Sequence, residues 1–328
     1  MRPSRPLIVA FLIAAALLPG CGPEEDQQAA PEQGGPGDRP RIALIMKSLA
    51  NEFFKTMEQG ARDFQAGQPD RFELTANGIP NEEDVSGQVS LVEQMVAQGV
   101  DAIVIAPADS KALVGVLDRA MKEGIVVVNI DNKLDASVLA ERNLRIPFVG
   151  PDNRAGARLA ADYVGKQLAP GAAVAILEGI PSAFNGQQRK LGLDEGLEAA
   201  GLNIVTSQSA NWEMSKASEI AAGILNEHAD LKAILCANDS MALGAHAAVR
   251  DAGKSGKVFV TGYDNIGAVT ALVNSGEILC TVDQQGEMLA VYGIECALDL
   301  LAKKGTPEDR QTPVELVTKG SSSGAASQ

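Results

Sequence analysis

The chain is poor in aromatic residues, in histidine and in positive charge. Aromatic residues make up 4% of its 328 residues, and it has two histidines and a single tryptophan. Lys and Arg number 28 against 42 Asp and Glu, so the net charge of -14 repels phosphate backbones and leaves no basic stripe. We therefore predict no nucleic-acid partner.

Sequence motifs for catalysis are also lacking. Both histidines, His228 and His246, lie inside helical patterns. A G-x-S-x-G sequence at 320–324 lies in a Gly/Ser-rich tail, where the strand-to-helix turn of a nucleophile elbow is not expected. Neither a phosphate-binding loop nor a dinucleotide-binding fingerprint follows any predicted strand. The sequence indicates a protein without cofactor and without enzymatic activity.

Cysteine is scarce. Beyond Cys21, the chain has Cys236, Cys280 and Cys296, an odd number without C-x-x-C spacing. Neither a disulfide framework nor a metal site follows from this pattern, and we expect at least one buried free thiol.

The first 20 residues are typical of an export signal. Arg2 and Arg5 precede a run of twelve apolar residues at 7–18, which is too short to span a bilayer easily. The segment 18–21, Leu-Pro-Gly-Cys, resembles the lipobox of bacterial lipoproteins, in which the cysteine is acylated. We expect Cys21 to be a lipid anchor, with an ordinary cleaved signal as the alternative.

Low-complexity segments flank the folded part. Residues 21–40 are rich in Pro, Gly, Gln and acidic residues and are predicted to form a flexible linker behind the anchor. Residues 320–328 are predicted to form a disordered tail.

Between these segments, short β-branched runs alternate with helical patterns. Strands are predicted at 42–46, 102–105 and 125–130, and the same rhythm restarts after a break at 135–145. This alternation predicts parallel sheets covered by helices on both faces. The length favours two such α/β lobes over a single core.

Polar residues follow many of the predicted strands. In open parallel sheets, ligands bind at the carboxyl ends of the strands, so these residues are candidates for a site between the lobes. They are Lys47, Asn51, Asp131, Asn132, Asn153, Asn238, Asp239, Asp264 and Gln284.

The placement of the few aromatic residues favours a sugar ligand. Phe53 and Phe54 begin a helix, Trp212 follows a strand and Tyr263 precedes Asp264. Sugar rings have apolar C–H faces that pack on aromatic rings, while their hydroxyls need polar partners at the rim. Phe54 and Trp212 are expected to contact the ligand, whereas a place in the core is an equal alternative for Phe53 and Tyr263.

Six separated segments resemble the periplasmic ribose-binding protein family, and the similarity runs from about residue 41 to 319. They are residues 42–54, 106–110, 129–132, 150–153, 238–245 and 262–265.

The resemblance implies two Rossmann-like lobes joined by a hinge of three chain crossings. It implies a first lobe at 41–150 plus 285–312, and a second lobe at 151–284 plus 313–319. By position, sugar contacts are implied for Asn51, Phe53, Phe54, Asp131, Arg189, Trp212, Asn238, Asp264 and Gln284.

Two positions depart from the ribose binders. Lys47 stands where that family has a small hydroxyl residue, and Asn132 stands where it has an arginine. We retain both as candidate ligand-binding residues. Because they change the available hydrogen bonds, the resemblance does not specify ribose as the ligand.

The resemblance implies a monomeric substrate-binding lipoprotein that passes a monosaccharide or related polyol to the permease of an ABC importer. The protein would be exported and anchored by lipid in the periplasm or at the outer face of the cell membrane. A sugar-sensing co-receptor for a membrane kinase or chemoreceptor is an alternative. A secreted sugar-processing enzyme, with Asp131 and Asp264 as paired carboxyl groups, is a second.

Overall fold

The structure is a computed structural model that describes residues 39–321. The predicted export signal, the Cys21 anchor, nearly all of the linker at 21–40 and most of the tail at 320–328 therefore lie outside the described residues. Within 39–321, no helix has both the length and the apolar character needed to cross a membrane.

Helices and strands alternate along the described residues. The strands are β1 (Arg41–Ser48), β2 (Glu73–Ile79), β3 (Ala102–Ile105), β4 (Val126–Ile130), β5 (Phe148–Pro151), β6 (Ala173–Glu178), β7 (Asn203–Ser209), β8 (Ala233–Cys236), β9 (Phe259–Thr261), β10 (Cys280–Asp283), β11 (Arg310–Thr312) and β12 (Glu315–Thr318). The helices are α1 (Glu52–Ala66), α2 (Val85–Ala97), α3 (Val114–Lys122), α4 (Ala136–Glu141), α5 (Asn153–Gln167), α6 (Phe184–Ala199), α7 (Met214–Glu227), α8 (Asp239–Asp251), α9 (Gly267–Ser275) and α10 (Gly286–Leu301).

The strands form two six-stranded sheets. The first has the order β11-β5-β4-β3-β1-β2 and is parallel throughout. The second has the order β12-β10-β9-β8-β6-β7, and its edge strand β12 runs antiparallel to β10. The predicted α/β fold with two lobes is confirmed, with this one antiparallel edge as a difference.

Each sheet is covered on both faces. In β1, Ile42 and Leu44 belong to one hydrophobic cluster and Ala43 and Ile45 to another, because successive strand residues point to opposite faces. A strand buried on both faces must be apolar at every position, which explains the continuous β-branched runs in the sequence.

The predicted elements differ from the structure at a sheet edge and in the predicted break. Strand β2 was not among the predicted strands, because it is an edge strand whose half-exposed positions carry polar residues. The predicted break at 135–145 contains the short helix α4.

The chain passes between the two sheets three times. It crosses after β5, between β10 and α10, and between β11 and β12. We call the part built on the first sheet (residues 39–151 and 286–312) the first lobe, and the part built on the second (residues 152–283 and 315–318) the second lobe. The lobe boundaries predicted near 150 and 284 fall beside the first two crossings.

Candidate functional site

A cavity of about 240 Å³ lies between the two lobes at the carboxyl ends of their strands. Every residue for which a ligand contact is predicted, except Asn132, lines it, together with two residues that sequence reasoning missed, whereas the strand-end candidates Asn153 and Asp239 do not line it. The lining residues are Lys47, Asn51, Phe53, Phe54, Glu82, Asp131, Asn185, Arg189, Trp212, Asn238, Asp264 and Gln284.

Three lining residues have a left-handed backbone. The φ angles are 60° at Asp131, 68° at Trp212 and 128° at Asp264. Side chains with a Cβ rarely adopt such angles, and they cluster where the surrounding structure holds a functional residue in place. At Asp131 the neighbouring Asn129 holds the turn, because its Nδ2 donates to the carbonyl of Asn132 at 2.8 Å.

The first lobe contributes a buried ion pair to the cavity. Nζ of Lys47 lies 3.2 Å from Oδ2 of Asp131, and both side chains are at most 3% exposed. The pair lacks hydrogen-bond geometry, because Asp131 Oδ2 accepts no hydrogen bond from any described residue. The carboxylate therefore keeps an oxygen that can accept a hydrogen bond from a ligand hydroxyl.

Glu82 was missed because it follows the edge strand β2, which sequence reasoning did not predict. Asn51, the N-cap of α1, donates from Nδ2 to Glu82 Oε1 at 3.2 Å, while Oε2 has no partner in the described part of the chain. Burial raises the pKa of Glu82 to about 7, although the nearby Lys47 ammonium opposes that shift.

The second lobe holds an arginine in a fixed orientation. Arg189 donates from Nε to Asn153 Oδ1 and from Nη1 to the carbonyl of Ala237, both at 2.8 Å. Its guanidinium lies 3.7 Å from the centre of the Tyr263 ring, so Tyr263 packs beneath the arginine and does not line the cavity. Nη1 of Arg189 also lies 3.5 Å from Asp264 Oδ1.

Asp264 links the arginine to Gln284. Nε2 of Gln284 donates to Asp264 Oδ1 at 2.7 Å. Burial raises the pKa of Asp264 well above its usual range, and the positive charge of Arg189 opposes that increase.

Asp239 supports the same loop from outside the cavity. It accepts hydrogen bonds from Thr281 Oγ1 at 2.7 Å and from the backbone of Ile266 at 2.9 Å, while its own N–H donates to the Tyr263 carbonyl. Burial raises the pKa of Asp239 to about 7. These contacts position the loop that carries Asp264. This structural role explains why Asp239 is buried although it does not line the cavity.

Aromatic rings from both lobes line the cavity. Phe53 and Phe54 pack edge to face with their centroids 5.1 Å apart, and Nζ of Lys47 lies 5.6 Å from the Phe54 ring and 5.9 Å from the Trp212 ring. The indole packs against Gly179, where an added Cβ would lie only 2.0 Å from a ring carbon. Glycine is therefore required there for the indole to take its position.

Asn132 is not among the lining residues, contrary to the placement expected of a ligand contact. Its Nδ2 donates to the Pro107 carbonyl at 2.9 Å, and its Oδ1 accepts from the backbone N–H of Asn185 at 3.2 Å. Ser110 Oγ likewise accepts from the backbone N–H of Phe184 at 3.0 Å. The arginine that the ribose binders have at this position is longer than asparagine and can reach farther. The shorter Asn132 side chain hydrogen-bonds to backbone groups close to it instead.

These contacts cap a helix of the opposite lobe. Helix α6 begins after Ala183, whose side chain cannot accept a hydrogen bond, so its first N–H groups find acceptors on Ser110 and Asn132 of the first lobe. The same helix carries Arg189. Asn132 thus joins the lobes beside the cavity.

Further contacts bring the lobes together around the cavity. Ser240 Oγ donates to Asn51 Oδ1 at 3.2 Å, and Asn211 Nδ2 donates to Glu83 Oε1 at 2.7 Å. Lys216 lies 3.2 Å from the other oxygen of Glu83. The structure is therefore a closed arrangement of the two lobes.

The remaining reactive groups lie elsewhere. Cys236 and Cys280 are buried free thiols, as expected for at least one cysteine, and burial raises the pKa of both. Neither histidine lines the cavity. Among residues 39–321, no cluster of His, Cys, Asp and Glu has the arrangement of a metal site.

Comparisons with known proteins agree with this architecture. Residues 42–305 match the family described as periplasmic binding protein domain. The chain is 55% identical over 286 residues to a D-ribose/D-allose-binding protein of Pseudomonas aeruginosa, which covers 86% of this chain and 89% of that protein.

Solved structures are also similar to this chain. An ABC transporter solute-binding protein from Burkholderia multivorans is 50% identical with a TM-score of 0.83, covering 86% of this chain and all of that one (100%). A periplasmic solute-binding protein from Actinobacillus succinogenes, solved with bound D-allose, is 37% identical with a TM-score of 0.82 and covers 86% of this chain and 98% of its own.

Proposed function

This chain belongs to the periplasmic binding protein family, and from that premise we propose that it captures a monosaccharide between its lobes and delivers it to an ABC importer. The observation that carries the proposal is the cavity itself. It combines two aromatic surfaces from opposite lobes with buried carboxyl, amide and guanidinium groups.

A sugar satisfies the chemistry of this lining. Its hydroxyls donate to carboxylate and amide oxygens and accept from guanidinium and ammonium groups, while its C–H faces pack on Phe54 and Trp212. Gln284 Oε1 makes no hydrogen bond to any residue between 39 and 321, and Asp131 Oδ2 has only its ion pair with Lys47. Burying a polar atom without a hydrogen bond costs about 1 to 3 kcal/mol, so a ligand hydroxyl at Gln284 Oε1 offsets that cost.

The ligand class follows from the relatives together with Lys47. We propose an aldose of the ribose or allose type, because the Pseudomonas aeruginosa relative is named for both sugars and the Actinobacillus succinogenes structure contains D-allose. Both cations of the cavity, Lys47 and Arg189, have carboxylate partners in the structure. That internal pairing favours a neutral sugar over a sugar phosphate.

Binding and closure are coupled in this proposal. The ligand contacts both lobes and therefore favours the closed arrangement over an open one, which shifts the population towards it. The permease then recognises surfaces that align only after closure.

The test is a thermal-shift screen of the purified chain against ribose, allose, other aldoses, ketoses and inositols, followed by isothermal titration calorimetry. A ligand at a hundred times its dissociation constant adds about 2.7 kcal/mol of stability. We expect a clear rise in melting temperature with ribose or allose. A panel in which no sugar raises the melting temperature contradicts the proposal.

We further propose that the sugar leaves unchanged. The support is that Asp131 and Asp264 each face a cation, Lys47 and Arg189 respectively, and that neither histidine lines the cavity. Proton NMR of the bound sugar over hours of incubation tests this. Conversion of the sugar into a new species contradicts it.

The N-terminal sequence supports export and lipid anchoring. We propose that residues 1–20 direct export and that acylated Cys21 holds the protein at a membrane surface. A Cys21→Ala variant, expressed in a bacterium with a lipoprotein pathway, is expected to move from the membrane fraction to the soluble fraction. Equal membrane association of both proteins contradicts the anchor.

A further inference from the structure

Glu82 lies at the end of the cavity that opens towards a second space. A groove of about 900 Å³ adjoins the cavity between the lobes, and Asn51, Glu82 and Trp212 line both. Lys47 and Arg189 line the cavity alone. Among the charged residues of the cavity, Glu82 is therefore the one at the boundary with the groove.

One carboxyl oxygen of Glu82 is available to a ligand. The side chain is 3% exposed, and Asn51 occupies only Oε1. Oε2 is buried and has no hydrogen-bond partner within residues 39–321. Because leaving such an oxygen unpaired is unfavourable, a ligand hydroxyl that reaches it is bound strongly.

The residues available to hold a sugar ring include several that line the cavity but not the groove. Arg189, Asp264 and Gln284 are tied together by hydrogen bonds and charge and do not line the groove. Hydroxyls attached directly to the ring are common to pentoses and hexoses and find their partners in this group and in Asp131. A hexopyranose differs from a pentopyranose by one hydroxymethyl group that extends outward from the ring.

We propose that Glu82 is a specificity-determining residue, whose carboxyl group binds the exocyclic hydroxyl that a hexopyranose carries and a pentopyranose lacks. The boundary between cavity and groove is where a substituent that extends beyond the ring has room. The proposal rests on the proposed function, since it presupposes that a sugar occupies the cavity.

Ionisation of Glu82 does not abolish the contact. As a carboxylate it accepts from the hydroxyl, and as a carboxylic acid it donates to the hydroxyl oxygen. Burial places its pKa at about 7, so both forms are present near neutral pH. The contact with a neutral hydroxymethyl group therefore persists over the whole range in which the residue titrates.

The test compares allose, 6-deoxyallose and ribose by isothermal titration calorimetry in the unaltered protein and in Glu82→Ala and Glu82→Gln. Glu213→Gln is the matched control, because Glu213 lines the groove but not the cavity. Sites that hydrogen-bond a hydroxyl strongly reject analogues that lack it, so we expect allose to bind about tenfold or more tightly than 6-deoxyallose. In Glu82→Ala this ratio is expected to fall to about twofold, with ribose affinity changed less than about threefold.

Three results overturn the proposal. One is a Glu82→Ala variant that loses affinity for allose, 6-deoxyallose and ribose equally, since Glu82 then only positions Asn51 or binds a hydroxyl shared by all three. Another is an unaltered protein that binds allose and 6-deoxyallose with equal affinity. This comparison tests the proposal even if the Glu82→Ala variant does not fold. The third is a Glu213→Gln variant with the same selective loss as Glu82→Ala. An unaltered protein that binds none of the sugars contradicts the proposed function instead, before any variant is compared.

Discussion

The two halves of the cavity differ in how completely their charged groups are paired. In the second lobe, Arg189 is held by Asn153, Ala237 and the Tyr263 ring, and Asp264 has both Arg189 and Gln284 as neighbours.

In the first lobe, Glu82 and Asp131 each keep a carboxyl oxygen that no described residue hydrogen-bonds, although both lie close to the charge of Lys47. The second-lobe half is therefore preorganised, and we call Arg189, Asp264 and Gln284 the platform. The first-lobe half, which we call the acceptor half, has carboxyl oxygens of Glu82 and Asp131 that can accept hydrogen bonds from a ligand. A rigid platform orients a ring at low entropic cost, while unpaired acceptors discriminate among its substituents.

The largest expected effect comes from breaking the platform. Asp264→Ala leaves a buried guanidinium without its carboxylate, and removing one partner of a buried pair costs about 3 to 5 kcal/mol. We expect the affinity for the preferred sugar to fall by about a hundredfold or more in calorimetry. Asp251→Ala, at a position where the carboxylate is exposed, is the control and should bind normally. Unchanged affinity in Asp264→Ala shows that the platform does not hold the sugar.

The acceptor half is tested by pH. The pKa of Glu82 rises from 4.5 to about 7 on folding, so the folded state binds more protons in that interval and its stability falls as the pH rises through it. The decrease from this residue is at most about 3 kcal/mol. Glu82→Gln cannot titrate and should flatten the stability profile between pH 4.5 and 7, as measured by denaturant unfolding. Asp239 contributes in the same direction, so the variant retains a residual slope.

The geometry of the platform is tested by a charge-conserving change. Arg189→Lys keeps the positive charge but cannot donate to both Asn153 and Ala237 while facing Asp264. We expect a loss of about 2 kcal/mol in sugar binding, since hydrogen bonds to charged groups contribute about 1.5 to 3 kcal/mol. Arg158→Lys, at a half-exposed position, is the control. Equal affinity of Arg189→Lys and the unaltered protein shows that charge alone suffices.

The smallest expected effect concerns the contact between the halves. Asn132 does not line the cavity itself, and Asn132→Ala removes the acceptor for the backbone N–H of Asn185, a hydrogen bond that contributes about 1 kcal/mol. We expect every sugar to bind about fivefold more weakly, with ligand selectivity unchanged. Small-angle scattering of the complex checks whether closure is impaired. A selective loss for one sugar instead identifies Asn132 as a ligand contact, as the sequence suggested.

Much of the fold could be predicted because a strand that is buried on both faces of a sheet is apolar at every position, which is visible in the sequence. Strands such as β3 are buried at every position and read as uninterrupted β-branched runs. Edge strand β2 has half-exposed polar positions, so neither it nor Glu82 beyond it stood out from the surrounding residues. The same periodicity predicted where strands end, and hence most of the cavity lining.

The sequence by itself determined which residues end the parallel strands and which rare aromatic residues lie beside them, because those features depend on local periodicity and chain order. Only the tertiary structure decided which of these side chains face the cavity. Left-handed backbone angles direct the side chains of Asp131, Trp212 and Asp264. Asn132 hydrogen-bonds to the first turn of α6 and does not line the cavity. Glu82 keeps one carboxyl oxygen without a hydrogen-bond partner among the described residues. Those outcomes depend on the packing of the two lobes against each other. Buried polar groups form hydrogen bonds with groups that are distant in sequence and become neighbours only in the folded protein.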